Sequence, residues 1–227
     1  MIAAIVPAHN EADAIGACLQ SLNAAARCPR LGRESVMVVV VADNCNDATA
    51  AIAEKSGAVV LAVQSRNVGI ARAVGAQFAL DAGARWLAFT DADSVVGIEW
   101  LAEQLALGTD AVCGTVAVRD WGSYGAPMQQ HYERTYTDAD GHQHIHGANL
   151  GVSAEAYRLA GGFQPLETSE DVALVDALRN VGARIAWSAR PRVHTSARRV
   201  FRAPLGFGAT LLRLHQDSQH IGAGAPA

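Results

Sequence analysis

Short apolar runs and longer stretches of helical periodicity alternate along the first half of the chain. Ile2 to Val6, Val36 to Ala42, Val59 to Val63 and Trp86 to Thr90 read as strands. Between them, Ala12 to Ala26, Ala48 to Ser56 and Val68 to Ala82 read as helices. The strand runs are continuously apolar rather than alternating, which marks strands covered on both faces. This alternation predicts an α/β fold with a doubly wound, mostly parallel sheet. Gly57, Gly83 and Gly182 each stand where a helix hands over to a strand, a position that favours left-handed backbone. They are junction glycines and not phosphate loops, since neither GxGxxG nor GxxxxGK(S/T) occurs.

The second half is less regular. Ala111 to Val118 and Ile145 to Val152 read as strands, Gly125 to Thr137 and Glu170 to Asn180 as helices, and Arg184 to Trp187 as a late strand. No linker divides the chain, so a single domain over residues 1–219 is expected, with a nucleotide-binding half (1–95), an acceptor half (96–219) and a tail over 220–227. Half of the 227 residues are hydrophobic and 18% are charged, enough for a sizeable core. The net charge of -4 and pI near 6.0 argue against a general nucleic-acid binder. No apolar run reaches the ~18 residues of a membrane span, and the start lacks a basic n-region. Cys18, Cys28, Cys45 and Cys113 show no zinc spacing and suit a reducing cytoplasm. Peripheral attachment to a membrane stays compatible with this.

Ligands of open α/β sheets bind beyond the carboxyl ends of the strands, and those ends are polar here. They carry Pro7-Ala8-His9-Asn10-Glu11, Asp43-Asn44-Cys45-Asn46-Asp47 and Asp91-Ala92-Asp93. If the strand pattern continues, Asp91 and Asp93 face one side, and two close carboxylates repel unless a cation sits between them. Hard oxygen ligands suit Mg²⁺ or Mn²⁺, whose shells substrate phosphates commonly complete. The same residues also suit an acidic turn opening the next helix, as Asn10 and Asp47 suit helix caps. Asp43 is less easily read as a cap and could accept a pyrimidine N–H or a ribose hydroxyl.

Together with Arg66-Asn67-Val68-Gly69-Ile70-Ala71-Arg72-Ala73, Gly147-Ala148-Asn149-Leu150-Gly151-Val152-Ser153, Gly161-Gly162-Phe163 and Glu170-Asp171, these segments occur in one characteristic order. The chain resembles the family 2 glycosyltransferases of GT-A fold, from Ile2 to about His194. The resemblance implies a nucleotide-diphospho-sugar donor, most readily a UDP-sugar, and transfer to an acceptor hydroxyl with inversion. It places Pro7, His9, Glu11, Asp43 and Arg72 around the nucleotide, and Asp91 between ribose and metal. Asp93 becomes the metal ligand of a DXD motif, with Mn²⁺ or Mg²⁺ as the cofactor. Glu170-Asp171 matches the pair supplying the general base, generally through its aspartate, although acids also favour the first turn of any helix. His194 matches a further metal ligand, or is a polar residue ending a strand.

His142, His144 and His146 alternate after the turn signal Asp140-Gly141, which predicts a strand edge with only His146 facing the cleft. From Arg184 onward seven arginines face a single acid, Asp217. Arg198 and Arg199 suit a loop closing on the pyrophosphate, an anionic acceptor, or a solvated face. Asn149 and His146 are secondary candidates for the pyrophosphate or acceptor side. The QxxRW motif of processive synthases is absent. A second subunit, as in a homodimer, or another partner is expected to complete the acceptor site, for a saccharide, a lipid carrier or a small molecule. A retaining transferase and a binding protein without turnover share most of these motifs, whereas the glycine-rich start of sugar nucleotidyltransferases is missing.

Overall fold

The computed structural model describes residues 1–166 and 168–197; Arg198, Arg199 and the expected tail over 220–227 lie outside them. Strands β1 (Ile2–Ala8), β2 (Val36–Asp43), β3 (Val59–Val63) and β4 (Trp86–Phe89) alternate with helices α1 (Ile15–Ala25), α2 (Thr49–Lys55) and α3 (Val68–Asp81). These are the elements read from the sequence: the helices and β4 are trimmed at their ends, β1 and β2 run one or two residues longer, and β3 is as expected. Beyond β4 come β5 (Val95–Val96), α4 (Trp100–Ala106), β6 (Ala111–Val118), α5 (Gly125–Thr135), β7 (Leu150–Ser153), α6 (Ala154–Leu159), α7 (Glu170–Asn180) and β8 (Ile185–Thr195).

All eight strands form one sheet in the order β3-β2-β1-β4-β7-β6-β8-β5. β3, β2, β1 and β4 run parallel, β7 is antiparallel to both β4 and β6, and β8 is parallel to β6. Successive residues of β1 enter opposite cores, as the pleat requires. Ile2, Ala4 and Val6 pack with Ile15, Leu19 and Leu22 of α1 and with Trp100 and Leu101 of α4. Ala3 and Ile5 pack with Ala76 and Leu80 of α3, Tyr157 of α6 and Leu174 and Leu178 of α7. Helix α3 rides close to the sheet because Gly75 leaves room, where a Cβ would meet Ile5 Cγ2 at 2.6 Å. That approach sets the depth at which Arg72 enters the site.

Pro7 lies in the central strand β1, where a missing N–H would normally break a ladder. Its nitrogen faces the β4 side, but pairing there has already ended at Ile5 and Phe89. The strand expected over Ile145 to Val152 begins only at Leu150, after a 3₁₀ turn over Gly147–Asn149. The late strand is longer than the expected four residues and continues to Thr195. Its pairing with β6 shifts register between Gly114 and Val116, and Pro191 falls inside that irregularity, where no ladder bond is lost. Among the described residues no helix is long and apolar enough to cross a membrane.

Candidate active site

The loops at the carboxyl ends of β1, β2 and β3 converge. Asn10 (φ 52°), Asn44 (φ 53°), Arg66 (φ 49°) and Ser169 (φ 61°), all non-glycine residues with left-handed backbone, ring this end of the sheet. Such backbone costs of order 1 kcal/mol or more per residue and persists only where its surroundings enforce it. The enforcing bonds are visible. Asn46 N–H donates to Asn10 Oδ1 (2.8 Å), Glu11 N–H to Thr49 Oγ1 (2.8 Å) and Ala12 N–H to Asp47 Oδ2 (3.0 Å). Asn10 and Asp47 thus lock two loops together. Asp47 also accepts from Thr49 N–H at the start of α2 (3.0 Å), while neither α1 nor α2 has a side-chain bond at its N-cap residue.

Asp43 is buried, and its carboxylate is surrounded by donors from the loop between β3 and α3. Oδ1 accepts from Ser65 N–H (2.7 Å) and Arg66 N–H (2.9 Å); Oδ2 accepts from Ser65 Oγ (2.7 Å) and Asn67 N–H (2.9 Å). A carboxylate offers about four lone-pair positions, so the loop takes up its capacity. The neighbouring His9 Nδ1 lies 2.6 Å from the Asp43 carbonyl oxygen, which can only accept and so fixes the proton on that nitrogen. With its amide oriented so that the oxygen faces Arg66, Asn44 accepts from Arg66 Nε at 2.9 Å.

The acids expected to share one strand face instead sit on a turn. β4 ends at Phe89, and Ser94 N–H closes back onto the Asp91 carbonyl at 3.0 Å. Both carboxylates still share one neighbour, the Cys18 thiol. Burial, then Asp91 and Asp93, push that thiol's pKa far up and keep it protonated, and it donates to the Asp91 carbonyl. Arg72 crosses to this turn from α3. Its side chain is only 4% exposed, with Nη2 2.7 Å from Asp91 Oδ1 and Nη1 paired with Glu170. Phe163 lies under the guanidinium at 5.7 Å. Burial raises the Glu170 pKa, and Arg72 opposes that rise by favouring the charged form.

Asp171, the next residue, takes a different environment. It is partly exposed, and its Oδ2 accepts from Gly147 N–H at 2.7 Å. Gly147 is pressed against Arg72, since a Cβ there would stand 2.5 Å from Nη2. One buried cation therefore joins the turn after β4, the Gly147 turn and the start of α7. Arg72, expected near the nucleotide, has both terminal nitrogens committed to carboxylates and organises the acids.

His194 lies opposite Val95 in the β5–β8 pairing, two residues beyond Asp93. Its Nδ1 is buried without a hydrogen-bond partner among the described residues, and burial, followed by Arg119 and Arg192, lowers its pKa. Asn149 is fully buried: Oδ1 accepts from Trp100 Nε1 (2.9 Å), and Nδ2 donates to the carbonyls of Thr115 (2.7 Å) and Pro191. It ties α4, β6 and β8 together and turns no group toward a ligand. His142, His144 and His146 are not on a strand. Their rings stack in a column, with centroids 5.4 Å and 5.8 Å apart, and Tyr136 lies on His144 at 4.1 Å. The expected division into one inward and two outward rings is corrected accordingly, because the segment follows the ring stack and not a sheet edge.

The model of the family described as glycosyl transferase family 2 matches residues 3–159. The chain belongs to that family. A search of curated protein sequences finds no match. Among solved structures, the family 2 chain is similar to Staphylococcus aureus TarS 1–349 in complex with UDP-GlcNAc, at 18% identity and a TM-score of 0.68, covering 96% of this chain and 66% of that one. It therefore spans just under two thirds of that TarS chain. It is also similar to the mannosyltransferase PcManGT from Pyrobaculum calidifontis in complex with GDP-Man and Mn²⁺ (18% identity, TM-score 0.62, 100% and 76% covered). A third is Mycobacterium tuberculosis glucosyl-3-phosphoglycerate synthase with Mn²⁺, UDP and glucosyl-3-phosphoglycerate (18%, TM-score 0.57, 100% and 81% covered). At these identities the likeness establishes the GT-A fold.

Of the residues expected in the family 2 site, Arg72, Asp91, Glu170 and Asp171 are brought together; Asp93 lies on the same turn as Asp91, and His194 pairs with Val95, two residues farther on. Pro7, His9, Glu11 and Asp43 form the adjoining strand ends. Ser65 and Cys18 were missed, and neither has a local signature: each matters through a partner far along the chain. Among the described residues no three His, Cys, Asp or Glu side chains already close on one point. The two carboxylates near Cys18 nonetheless suit a hard divalent ion whose shell a donor would complete; His194 joins them only through its register opposite Val95, its charged neighbours being Arg119, Arg192 and Asp138.

Proposed function

We propose that this chain is a divalent-metal-dependent glycosyltransferase that moves a sugar from a nucleotide-diphospho-sugar, most readily a UDP-sugar, to an acceptor hydroxyl with inversion. The observation carrying the reading is the convergence of the Asp91–Asp93 turn and the Glu170-Asp171 pair on one buried arginine, next to the Asp43-braced loops. Asp93 and His194 would hold Mn²⁺ or Mg²⁺, which when bound supplies positive charge to the departing nucleoside diphosphate.

The acids divide their work by environment. Glu170 is buried against Arg72 and holds the centre in place. Asp171 uses two of its acceptor positions on the N–H groups of Gly147 and Val172 and keeps capacity toward the open side. It is the general base: it takes the proton of the acceptor hydroxyl as that oxygen attacks the anomeric carbon and the sugar–phosphate bond breaks. Because a protein side chain makes no covalent bond to the sugar, one displacement inverts the anomeric centre. The loops from β1 to β3 receive the nucleoside, with His9 and Glu11 at its rim.

Asp171→Asn tests the reading. Transfer should fall by about 10² or more, the usual contribution of a positioned base. UDP with Mn²⁺ should still raise the melting temperature, by an amount that grows with ligand concentration. Undiminished transfer would remove the base assignment and favour a retaining mechanism. A protein whose melting temperature responds to no UDP-, GDP-, dTDP- or CDP-sugar would not be a transferase of this kind.

A further inference from the structure

On the transferase reading above, which this inference rests on, the base is Asp171, and it is held by more than its own helix. Its Oδ2 accepts from Gly147 N–H at 2.7 Å. That N–H belongs to the peptide plane between His146 and Gly147. The other end of the plane is tied as well, since the His146 carbonyl accepts from Asn149 N–H at 2.9 Å. His146 is extended (φ -134°, ψ 116°) just before the 3₁₀ turn, and its ring leads away from the base. Its Nε2 lies 3.0 Å from the Tyr136 hydroxyl, whose oxygen accepts from Val116 N–H at 3.0 Å. Val116 stands at the register shift of β6 against β8, and its carbonyl accepts from the Tyr132 hydroxyl at 3.2 Å. We propose that Tyr136 and His146 are positioning residues for Asp171. The hydroxyl fixes the imidazole, the imidazole fixes the His146–Gly147 peptide, and that peptide's N–H aims the carboxylate.

The line is made of groups with little freedom to drift. Tyr136 stacks on Tyr132 at 4.7 Å and on His144 at 4.1 Å, so its hydroxyl marks a fixed point. Burial, then His144 and His142, hold the His146 pKa at about 3, and a neutral ring pairs with a hydroxyl in either tautomer. Beside Gly147 the Arg72 guanidinium leaves no space for a Cβ. Asp171 needs such a guide. It is partly exposed, and its Oδ1 bonds only to the N–H of Val172, a neighbour that moves with it. A base acts only within hydrogen-bond reach of the proton it takes, and a misplacement of about 1 Å can cost about 10² in rate.

The test pairs turnover with the exchange of one backbone amide. Turnover is UDP released from UDP-glucose or UDP-N-acetylglucosamine with Mn²⁺. Water is the acceptor: it gives its proton to Asp171 as its oxygen bonds the anomeric carbon and UDP leaves. Exchange of the Gly147 amide is followed by NMR, with Asp171→Ala marking its rate once the bond is gone. Tyr136→Phe and His146→Leu cut the line, whereas His146→Gln keeps a polar group near the place of Nε2. The first two should lower kcat by about tenfold to a hundredfold with KM for the donor unchanged. Both should speed Gly147 exchange by about tenfold, the factor carried by a lost bond to a charged group, without speeding exchange in β1 and β4. His146→Gln should lie between wild type and His146→Leu in both measurements. A merely structural pair would lower the melting temperature and speed exchange across β6 and β7 together, with glutamine no better than leucine.

The proposal is overturned if folded Tyr136→Phe keeps the wild-type kcat or the wild-type Gly147 exchange, or if His146→Gln loses as much as His146→Leu. Should Tyr136→Phe not fold, the two His146 variants decide the matter. Should the wild type release no UDP, Gly147 exchange decides it alone. If UDP with Mn²⁺ stabilises the wild type and Asp171→Ala is inactive while Tyr136→Phe is unimpaired, this inference fails and the transferase reading stands. An Asp171→Ala protein as active as the wild type overturns the base assignment and this inference with it.

Discussion

Replacing Asp43 by Asn separates a loop-building carboxylate from one that reads a base. Each oxygen of Asp43 accepts two hydrogen bonds from residues 65–67. An amide keeps one oxygen and turns the other into a donor facing donors. In the better orientation the amide nitrogen faces Ser65 Oγ, which can rotate and accept, and Asn67 N–H, which cannot. One backbone N–H is then left unsatisfied, and the remaining bonds lose their charge. Hydrogen bonds to a charged group are worth about 1.5–3 kcal/mol each, so the substitution should cost roughly 2–4 kcal/mol. That is a large part of a total stability of about 5–15 kcal/mol, and should lower the urea midpoint by roughly 1 M. The pH dependence follows. Burial disfavours the charged form, but bonds from Ser65, Arg66 and Asn67 outweigh it and hold the Asp43 pKa below the ordinary carboxylate value. A depressed folded pKa contributes stability that is complete above the unfolded value of about 3.9 and is lost as pH falls through the folded one. The difference between wild type and Asp43→Asn should be full at pH 7 and narrow below about pH 4. An unchanged urea midpoint with loss of nucleotide binding alone would refute the reasoning and return Asp43 to the base.

Gly147→Ala places a Cβ 2.5 Å from Arg72 Nη2 and should cost about 1–3 kcal/mol by overpacking, read as a lower melting temperature. It also displaces the N–H that holds Asp171, so transfer should fall further than stability predicts; full activity would contradict the link. His194→Gln should weaken Mn²⁺ binding in the presence of UDP by roughly tenfold or more, since even residues behind a ligand cost that much when lost, with calorimetry as the assay. Burial, then His144 and His142, holds the His146 pKa down to about 3, so its ring accepts a proton in the unfolded chain well before the folded one. Stability should therefore fall with acidification from about pH 6.5, by up to about 1.4 kcal/mol per pH unit, and His146→Gln should flatten that slope in urea titrations.

The first half of the fold was legible because each element there solves its burial locally. Val59–Val63 is apolar on both sides of its pleat, and Gly57 with φ 82° closes the helix before it. A reader of the sequence needs no distant partner to place such a strand. The second half depends on distant partners. The stretch from Ser188 to Thr195 contains Pro191 between two arginines, which argues against a strand by composition. It becomes one because the register with β6 skips over the proline and Asn149 Nδ2 donates to the Pro191 carbonyl. Helix α4 went unread for a related reason. Its Trp100 is anchored by an indole bond to Asn149, a residue the chain reaches only much later.

The site shows the same division between identity and pairing. Sequence motifs identified the acids, because Asp91, Asp93, Glu170 and Asp171 stand in recognisable company. Nothing in that order says which acid is neutralised and by what. Only the fold shows that Arg72 takes Asp91 and Glu170, two carboxylates on one buried cation. Asp171 instead rests on Gly147 N–H, and Asp93 stands two residues before the Val95–His194 pair. In the proposed mechanism Asp171 would receive a proton and Asp93 a divalent ion. On the proposed function, the arginine expected near the nucleotide would act by holding Asp91 and Glu170 in place.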